Sequence, residues 1–432
     1  MALTGGLVLW ILGGTLVASL CLLVRHRGWL RVPFAAAVLI LLPAMAAAVI
    51  NDHFQYWMSW RDLTGLHSRD LTTLSLDRLE AEHAGWLPAR GQQGTSTMGV
   101  PTPGQPEHGR LVKVRIRGTR SKITRGGLIY LPPQYFSPAW RHVTFPVVEL
   151  LHGSPGIPGD WINSLHADLA ADIASGRAGT GPVVLVIPDT NGSRFTDREC
   201  QDSRRGQDET YLTFDVRDWV TARLHVRADR NGWVLAGYST GGYCAVNLLD
   251  HHPELFAGAA SLDGYFRAIQ DRYTGDLYGQ SRWLRQHNDP SRQWADHPPA
   301  PASSLLLLAG QRDDSLDETK RFAGDVRSHS EVRVDVHLGI QAGAGHNFSS
   351  WRTMLPTVYA WAWTVLQTSE TNGLLHHRES PRLPDTVELA PPGCQTPNGG
   401  LRHVAVCKGH HGQHWYRLST DNKRTESLGA SG

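Results

Sequence analysis

The sequence is poor in several features that define whole classes of protein. Its 432 residues include only five cysteines, too few for a scaffold built on disulfides. The formal net charge is +2, whereas a dedicated nucleic-acid-binding protein needs a strongly basic surface, so no nucleic-acid partner is predicted. Ordinary fractions of hydrophobic (41%) and charged (19%) residues exclude disorder over most of the chain. Its length is typical of two or three structural units.

Acidic residues are absent from the first 50 positions. There, 36 residues are hydrophobic, and the three that carry charge are Arg25, Arg27 and Arg31. These arginines separate two apolar runs, Leu3–Val24 and Val32–Ile50, which are 22 and 19 residues long. A helix needs roughly 20 apolar residues to cross a bilayer. Because arginine-rich connections stay in the cytoplasm, everything after the second run is predicted to lie outside.

A signal peptide or a single span is the alternative to this transmembrane hairpin. A signal peptide begins with basic residues, but neither Lys nor Arg precedes Leu3. The residues after the second run include Phe54, Tyr56, Trp57 and Trp60, as in an aromatic belt at a membrane surface. We therefore predict a multi-pass protein of the cell membrane whose larger part is extracytoplasmic.

The remaining residues divide by composition into three parts. Residues 51–109 read as a weakly amphipathic juxtamembrane helix (51–85) followed by a Gly- and Pro-rich linker. Residues 110–367 carry the strong periodic signals and are predicted to form the catalytic domain. Its aromatic-rich stretch at about 265–303 is expected to form a lid above the carboxyl edge of the sheet. Residues 368–432 read as a C-terminal tail.

Short continuous apolar runs alternate with helix-periodic segments through the central part. Such runs are typical of strands buried on both faces, so the alternation predicts an α/β fold with a mostly parallel sheet and helices on both faces. The strands are predicted at 111–117, 128–131, 147–151, 183–187, 233–236, 257–262, 305–309 and 332–338, and the helices at 161–174, 211–223, 240–250, 316–328 and 349–366.

The tail holds two features with a possible chemical role. Cys394 and Cys407 bracket 12 residues, close enough for a small disulfide. Four histidines could ligate a transition metal, although a solvated polar tail is the simpler interpretation; they are His403, His410, His411 and His414.

The chain also lacks a G-x-G-x-x-G turn that opens a helix in a strand–helix unit. We therefore predict no metal and no cofactor.

Gly237–Gly242 matches the G-x-S-x-G pattern, with Ser239 as its serine. A predicted strand leads into this segment and an apolar helix leads out of it. This is the context of a nucleophile elbow, in which small neighbours let a strained serine stand exposed between strand and helix. Ser239 is therefore the predicted nucleophile.

A serine nucleophile needs a base, and the base needs a carboxylate. His346 lies in a small-residue loop between the last strand and the last helix, so we predict it as the base. Asp313 follows the strand after the lid and is the preferred acid. Its neighbour Asp314, and Asp263 at the end of the preceding strand, remain alternatives.

The oxyanion formed during acyl transfer needs two N–H donors. One is predicted to be the backbone N–H of Thr240, next to the nucleophile. The other is predicted in the turn after the third strand, at the N–H of Ser154, because Pro155 has none. His152 in the same turn is interpreted as a structural hydrogen-bonding residue.

Six motifs together resemble the α/β-hydrolase fold and, within it, the putative-esterase family of a membrane-anchored actinobacterial type. That family includes S-formylglutathione hydrolases, feruloyl esterases and cell-wall mycolyltransferases. The resemblance covers about residues 110–367 and implies Ser239, Asp313 and His346 as a catalytic triad. The motifs are Tyr130–Tyr135, Leu150–Gly153, Val186–Asp189, Gly237–Gly242, His252–Phe256, and Gly345-His346 with Trp351.

The resemblance also suggests two particular features. The family often has serine where Asp263 stands, and an acid there could bind a polar substrate group; we predict Asp263, Tyr265 and Trp161 as substrate contacts. The segment Glu199-Cys200-Gln201-Asp202 resembles exported actinobacterial hydrolases that pair this cysteine with one after the elbow. The resemblance therefore implies a Cys200–Cys244 disulfide.

The sequence predicts a membrane-anchored, extracytoplasmic serine esterase. Its substrate would be a carboxylic ester, with an envelope lipid or glycan as the candidate partner. An acyltransferase of the mycolyltransferase type would use the same residues and pass the acyl group to a sugar or lipid. A non-catalytic envelope-binding module is the remaining alternative.

Overall fold

The computed structural model describes residues 6–58, 60, 74–75, 109–176, 180–296, 302–329 and 334–371, with short strands between 386 and 427. The chain forms two compact units, one built mainly from residues 1–70 and the other from most of the remaining chain.

The N-terminal unit consists of two helices, α1 (Gly6–Arg25) and α2 (Val32–Phe54), joined by a helical turn at Gly28–Arg31. Both helices are long and apolar enough to cross a membrane. Large apolar side chains point outward, such as Trp10 (81% exposed) and Leu39 (75%). In water such exposure would be unfavourable, so these surfaces suit a lipid environment better.

The larger unit contains a ten-stranded sheet. The strands follow the order β1-β2-β3-β5-β4-β8-β9-β10-β11-β12; β3 is antiparallel to both of its neighbours, and the other adjacent pairs are parallel. The strands are β1 (Leu74–Ser75), β2 (Arg110–Arg117), β3 (Thr124–Leu131), β4 (Val147–Leu151), β5 (Val184–Pro188), β8 (Trp233–Tyr238), β9 (Gly258–Leu262), β10 (Ser304–Gly310), β11 (Asp335–Gln341) and β12 (Thr386–Leu389), with a small hairpin of β6 (Asp202–Ser203) and β7 (Gly206–Gln207).

Helices connect the parallel strands, as the predicted alternation requires. Every residue of β4, β5, β8, β9 and β10 is buried, as expected for strands covered on both faces. The helices are α3 (Gly159–Asn163), α4 (Ala167–Ser175), α5 (Asp208–Thr210), α6 (Val216–Thr221), α7 (Thr240–His251), α8 (Arg282–His287), α9 (Pro290–Asp296), α10 (Leu316–His329) and α11 (Phe348–Thr371).

Two predicted helices differ in the structure. The helix predicted over 161–174 is divided into α3 and α4, and His166 between them has a left-handed backbone (φ 54°) that a continuous helix cannot contain. The helix predicted over 211–223 begins earlier, at α5, and passes through a wider π-helical segment at Tyr211–Asp215 before α6.

The two segments flanking the predicted catalytic domain also contribute strands. Leu74–Ser75 pairs with β2, so the helix predicted over 51–85 is wrong at these residues. In the predicted tail, β12 extends the main sheet beside β11. An antiparallel four-stranded sheet follows, formed by β13 (Cys394–Gln395), β14 (Val404–Gly409), β15 (Gly412–Arg417) and β16 (Glu426–Ser427). The segment 368–432, predicted as a C-terminal tail, thus contains short strands among its described residues.

The register of the small sheet places the two cysteines of the tail opposite each other. Cys394 is the direct cross-strand partner of Cys407. The two cysteines, which are separated by 12 residues along the chain, are therefore direct neighbours on adjacent strands. Three of the four histidines singled out in this region, His403, His410 and His411, lie outside the described residues.

Candidate active site

Ser239 stands at the junction between β8 and α7. Its backbone is left-handed (φ 55°, ψ −126°), a conformation that costs a non-glycine residue about 1–3 kcal/mol. The backbone around Ser239 is closely packed: a Cβ on Gly237 would lie 1.9 Å from the carbonyl oxygen of Gly241, and one on Gly241 would lie 2.1 Å from that of Leu151. The small residues of the motif are thus required by contact, and Ser239 keeps partial exposure.

Hydrogen bonds connect Ser239 to His346 and His346 to Asp313. The Ser239 Oγ lies 2.9 Å from Nε2 of His346, and the His346 Nδ1 lies 2.7 Å from Oδ2 of Asp313. Because a carboxylate can only accept, Nδ1–H donates to Asp313, which leaves Nε2 to accept from the serine hydroxyl. The structure therefore brings together the three residues predicted as nucleophile, base and acid.

Asp313 is held by further donors. Its Oδ1 accepts from the backbone N–H of Ser315 at 2.7 Å and from the hydroxyl of Ser315 at 2.6 Å. Burial alone would raise the pKa of Asp313, but the hydrogen bond from His346 and those from Ser315 lower it. The neighbouring Asp314 is exposed. Of the two adjacent acids, only Asp313 contacts the imidazole.

His346 experiences opposing influences on its pKa. Burial favours the neutral ring, whereas the hydrogen bond and charge of Asp313, together with Asp263, favour the imidazolium and raise the pKa above its ordinary value. The side chain of His346 is nevertheless 39% exposed. The imidazole can therefore both meet a substrate and hold a proton taken from Ser239.

The two residues predicted to supply oxyanion donors belong to segments next to the nucleophile. Thr240 is the first residue of α7, where backbone N–H groups have no acceptor within the helix. The turn after β4 lies against the elbow, because a Cβ on Gly153 would be 3.0 Å from the Cβ of Ser239. Ser154, the next residue, is partly exposed.

His152 supports this turn from within the core. It is fully buried, its Nε2 accepts from the N–H of Thr190 at 3.1 Å, and its Nδ1 lies 2.9 Å from the carbonyl oxygen of Gly153. The interpretation of His152 as a structural residue agrees with these contacts.

The three residues predicted as substrate contacts differ in their burial. Trp161 is fully buried, and its ring lies 5.2 Å from that of Tyr238, centroid to centroid; its role as a substrate contact stays a prediction. Asp263 is 1% exposed, and its predicted contact with a substrate also stays a prediction. Tyr265 is partly exposed, and its ring stacks on Tyr243 at 4.9 Å.

Two buried acids beside the elbow were not identified from the sequence as site residues. The Asp197 Oδ2 accepts from the Thr240 hydroxyl at 3.0 Å, and burial raises the pKa of Asp197 to about 6. Glu199 accepts from the hydroxyls of Tyr265 and Tyr278, and its pKa is also raised by burial. The tyrosines belong to the segment predicted as a lid, 66 and 79 residues further along the chain. No local pattern signals such a pairing.

The Cys200–Cys244 disulfide implied by the resemblance is present in the structure. It joins the loop that carries Asp197 and Glu199 to α7, whose first residue follows the nucleophile. Both cysteines are buried in the core.

Asp263, Asp313 and His346 could also be considered as metal ligands, because their donor atoms lie within 4.8 Å of one another. However, both nitrogens of His346 already have partners, Asp313 and Ser239. A metal ion here would have to break one of these hydrogen bonds.

Comparison with known proteins finds relatives that are 24–27% identical to this chain. An uncharacterized protein of Corynebacterium glutamicum is 27% identical over 61% of this chain and 63% of its own length. An esterase of Mycobacterium tuberculosis is 25% identical over 48% of this chain and 49% of its own. The MPT51 antigen of Mycobacterium leprae is 24% identical over 44% and 71%. The chain thus spans between 49% and 71% of the length of these relatives.

Solved structures agree in fold. A ferulic acid esterase matches with a TM-score of 0.51 at 17% identity, covering 60% of this chain and 99% of that one. An S-formylglutathione hydrolase from Agrobacterium tumefaciens matches with a TM-score of 0.51 at 16% identity, covering 62% and 100%. The larger unit therefore has the α/β-hydrolase fold that the sequence predicts.

A family model described as "Putative esterase" matches residues 120–362, more than half of the chain and within the predicted catalytic domain. The chain therefore belongs to the putative-esterase family.

Proposed function

We propose that the protein is a serine esterase in which Ser239, His346 and Asp313 form the catalytic triad. The observation that carries the proposal is the line of hydrogen bonds from Ser239 Oγ to Nε2 and from Nδ1 to Asp313, 2.9 and 2.7 Å long. Ser239 stands at a strained strand–helix elbow, which exposes its hydroxyl group to an incoming carbonyl carbon. Membership of an esterase family supports the same chemistry.

The reaction would proceed in two halves. His346 takes the hydroxyl proton as Ser239 Oγ attacks the ester carbonyl, and the N–H groups of Thr240 and Ser154 stabilise the oxyanion. The imidazolium, held by Asp313, then protonates the departing alcohol. In the second half, His346 takes a proton from water, hydroxide adds to the acyl-enzyme, and Ser239 regains its proton as the acid leaves.

We further propose that α1 and α2 anchor the enzyme with its catalytic domain outside the cytoplasm. The arginine-rich connection between these helices favours the cytoplasmic side, and the Cys200–Cys244 disulfide suits an oxidising compartment. Anchoring would hold the active site near esters of the cell envelope. Such lipids or glycans are the proposed substrates.

A fluorophosphonate probe tests the nucleophile directly. The full-length protein in detergent is expected to react at Ser239, whereas Ser239→Ala is expected to remain unlabelled, because only an activated serine attacks the phosphorus. Ser154→Ala is a matched control, since it removes a hydroxyl beside the site but keeps the backbone N–H; it should still be labelled. Equal labelling of the wild type and Ser239→Ala would contradict the proposal.

Product analysis separates hydrolysis from transfer. With a p-nitrophenyl ester alone, the acyl group should appear as free acid. If adding a carbohydrate acceptor diverts most of the acyl group to a sugar ester, the enzyme is an acyltransferase with the same triad.

A further inference from the structure

A second carboxylate lies behind the proposed base. Oxygen atoms of Asp263 and Asp313 and a nitrogen of His346 lie within 4.8 Å of one another. Asp263 is 1% exposed, so neither water nor substrate surrounds it. Its charge must therefore act mainly on the groups packed around it.

Two N–H donors fix Asp263 in place. Oδ1 accepts from the backbone of Gly310 at 2.6 Å, and Oδ2 accepts from Nε1 of Trp351 at 2.8 Å. Gly310 ends the strand that leads to Asp313, and Trp351 lies in the helix that follows His346. The Trp351 ring also meets the imidazole of His346 edge-on, with centroids 5.0 Å apart. Asp263 thus joins the segment that carries the acid to the segment that carries the base.

Asp263 also has an unusual backbone. Its φ is 49°, and Asp is among the few residues other than glycine that tolerate this region. The turn directs its carboxylate inward, where Oδ1 reaches the end of the neighbouring strand.

The electrostatic surroundings connect Asp263 with the protonation of His346. Burial, and then the charge of Asp313, raise the pKa of Asp263 to about 7. Against the effect of burial, Asp313, Asp263 and Asp314 raise the pKa of His346. Asp313 makes the largest of these three contributions, followed by Asp263 and then Asp314. The charge of His346 in turn lowers the pKa of Asp263, so each group favours the charged form of the other.

Building on the proposed function, we propose that Asp263 is a positioning residue of the esterase, which holds the acid and base segments together and places a second negative charge behind His346. When Ser239 transfers its proton to Nε2, the imidazolium that forms is stabilised by Asp313 directly and by Asp263 at longer range. Nδ1–H stays hydrogen-bonded to Asp313, and Asp263 neither gains nor loses a proton in the step.

The first test is the pH dependence of kcat/KM for p-nitrophenyl butyrate, measured on the full-length protein in detergent. Asp263→Asn removes the second charge and keeps the shape of the side chain. Because the imidazolium loses a stabilising anion, the pKa of His346 should fall, and the acid limb should move down by about 1 pH unit. At the pH optimum, kcat should fall by about tenfold, far less than on loss of the nucleophile.

Asp314→Asn is the matched control. It removes one negative charge at the position next to Asp313, but the side chain is exposed, so solvent weakens its effect. Its acid limb should stay within about 0.3 pH units of the wild type. If Asp263→Asn behaves like Asp314→Asn, the proposal is wrong.

A double-mutant comparison gives an independent readout. Loss of the carboxylate partner of a triad histidine typically costs about 10,000-fold in kcat. Asp313→Ala should cost only about 100-fold, since Asp263 remains as an anion near the imidazole, and adding Asp263→Asn should bring the loss to about 10,000-fold. Equal rates for the single and the double variant would also overturn the proposal.

Labelling and folding controls separate this inference from the proposed function. If the wild type fails to react with the fluorophosphonate probe, the proposed function fails and the inference with it. If the wild type reacts and Ser239→Ala does not, the pH profiles decide the role of Asp263 alone. Should Asp263→Asn lower Tm by more than a few degrees, Asp263→Ser offers a neutral variant with a hydroxyl for hydrogen bonding, and the same downward shift is expected of it.

Discussion

The conformation of Ser239 is maintained by contacts on both sides of the residue. Its N–H donates to the carbonyl oxygen of Leu262 at 2.9 Å, and its own carbonyl accepts from the N–H of Gly242 at 2.8 Å. These bonds tie the elbow to β9 on one side and to the first turn of α7 on the other. Both backbone hydrogen bonds therefore help to hold Ser239 in its strained conformation.

The contact at Gly241 gives a prediction at this scale. Gly241→Ala would place a methyl group 2.1 Å from a backbone oxygen of Leu151, so α7 or β4 must move. We expect the free energy of unfolding to fall by about 3 kcal/mol or more and probe labelling of Ser239 to be lost. Labelling and urea unfolding in detergent measure both effects.

Gly324→Ala is the matched control for this substitution. Gly324 lies within α10, and a Cβ there meets nothing within 4 Å. The same chemical change should therefore stabilise the protein by about 0.5–1 kcal/mol through helix propensity, with labelling unchanged. If both variants behave alike, the close contact at the elbow has no energetic importance.

At the scale of elements, the loop from Asp197 to Cys200 connects three parts of the domain. The N–H of Asp197 donates to the carbonyl oxygen of Tyr273 in the lid segment at 3.2 Å. Glu199 accepts from two lid tyrosines, and Cys200 is bonded to Cys244 on α7. The position of the lid segment relative to the nucleophile helix therefore depends on this loop.

Removing the disulfide tests this dependence. The cysteines are 44 residues apart, and a loop of that length corresponds to about 4 kcal/mol of stabilisation in the chain-entropy model. The double variant Cys200→Ser/Cys244→Ser should therefore have a lower Tm, and its KM should rise as the lid segment loosens. Thermal unfolding and ester hydrolysis measure these effects.

Cys21→Ser provides the control, because Cys21 is a free thiol in α1. It should change neither Tm nor KM. Dithiothreitol should lower the Tm of the wild type by more than that of the double variant, which keeps Cys394 and Cys407. A double variant as stable as the wild type would show that the disulfide does not hold the loop.

At the scale of the whole molecule, the chain combines an apolar helical hairpin with an α/β-hydrolase domain. The hairpin contains no Asp, Glu or Lys before Asp52, and most of its large apolar side chains are exposed. The hydrolase domain has an ordinary buried core. The two units thus require different solvents, which is the physical basis for proposing a membrane anchor.

The membrane topology can be tested on cells that express the full chain. The protein should remain with the membrane fraction after carbonate extraction, because two apolar helices are held by the hydrophobic effect. A membrane-impermeant fluorophosphonate should label Ser239 in intact spheroplasts. Labelling only after lysis would place the active site in the cytoplasm, and a soluble shortened product would indicate a cleaved signal sequence.

Much of the fold follows from local sequence. Continuous apolar runs such as Val147–Leu151 identify strands buried on both faces, and the structure has that strand with the same limits. The elbow could be predicted because Gly237–Gly242 combines small residues with a strand before it and a helix after it. The positions of His346 and Asp313 followed from the order of strands along the chain.

Other features depend on contacts that no local pattern encodes. Trp161 is as apolar as a pocket-lining residue, and only packing against Tyr238 shows that it faces the core. The role of Asp263 depends on Gly310 and Trp351, which lie 47 and 88 residues away. The strands of the C-terminal segment escaped prediction because polar and glycine residues obscure the alternation around a Gly-rich turn.

The short strands at the two edges of the sheet have a consequence for behaviour at high concentration. An uncovered edge strand offers backbone groups to other chains and promotes aggregation. Here β2, eight residues long, is bordered by a strand of two residues, and β11, seven residues long, by one of four. On the β11 side, β12 pairs with four of the seven residues and ends the described sheet in a short strand. This segment, outside the family match, therefore reduces the template for intermolecular pairing and favours colloidal solubility.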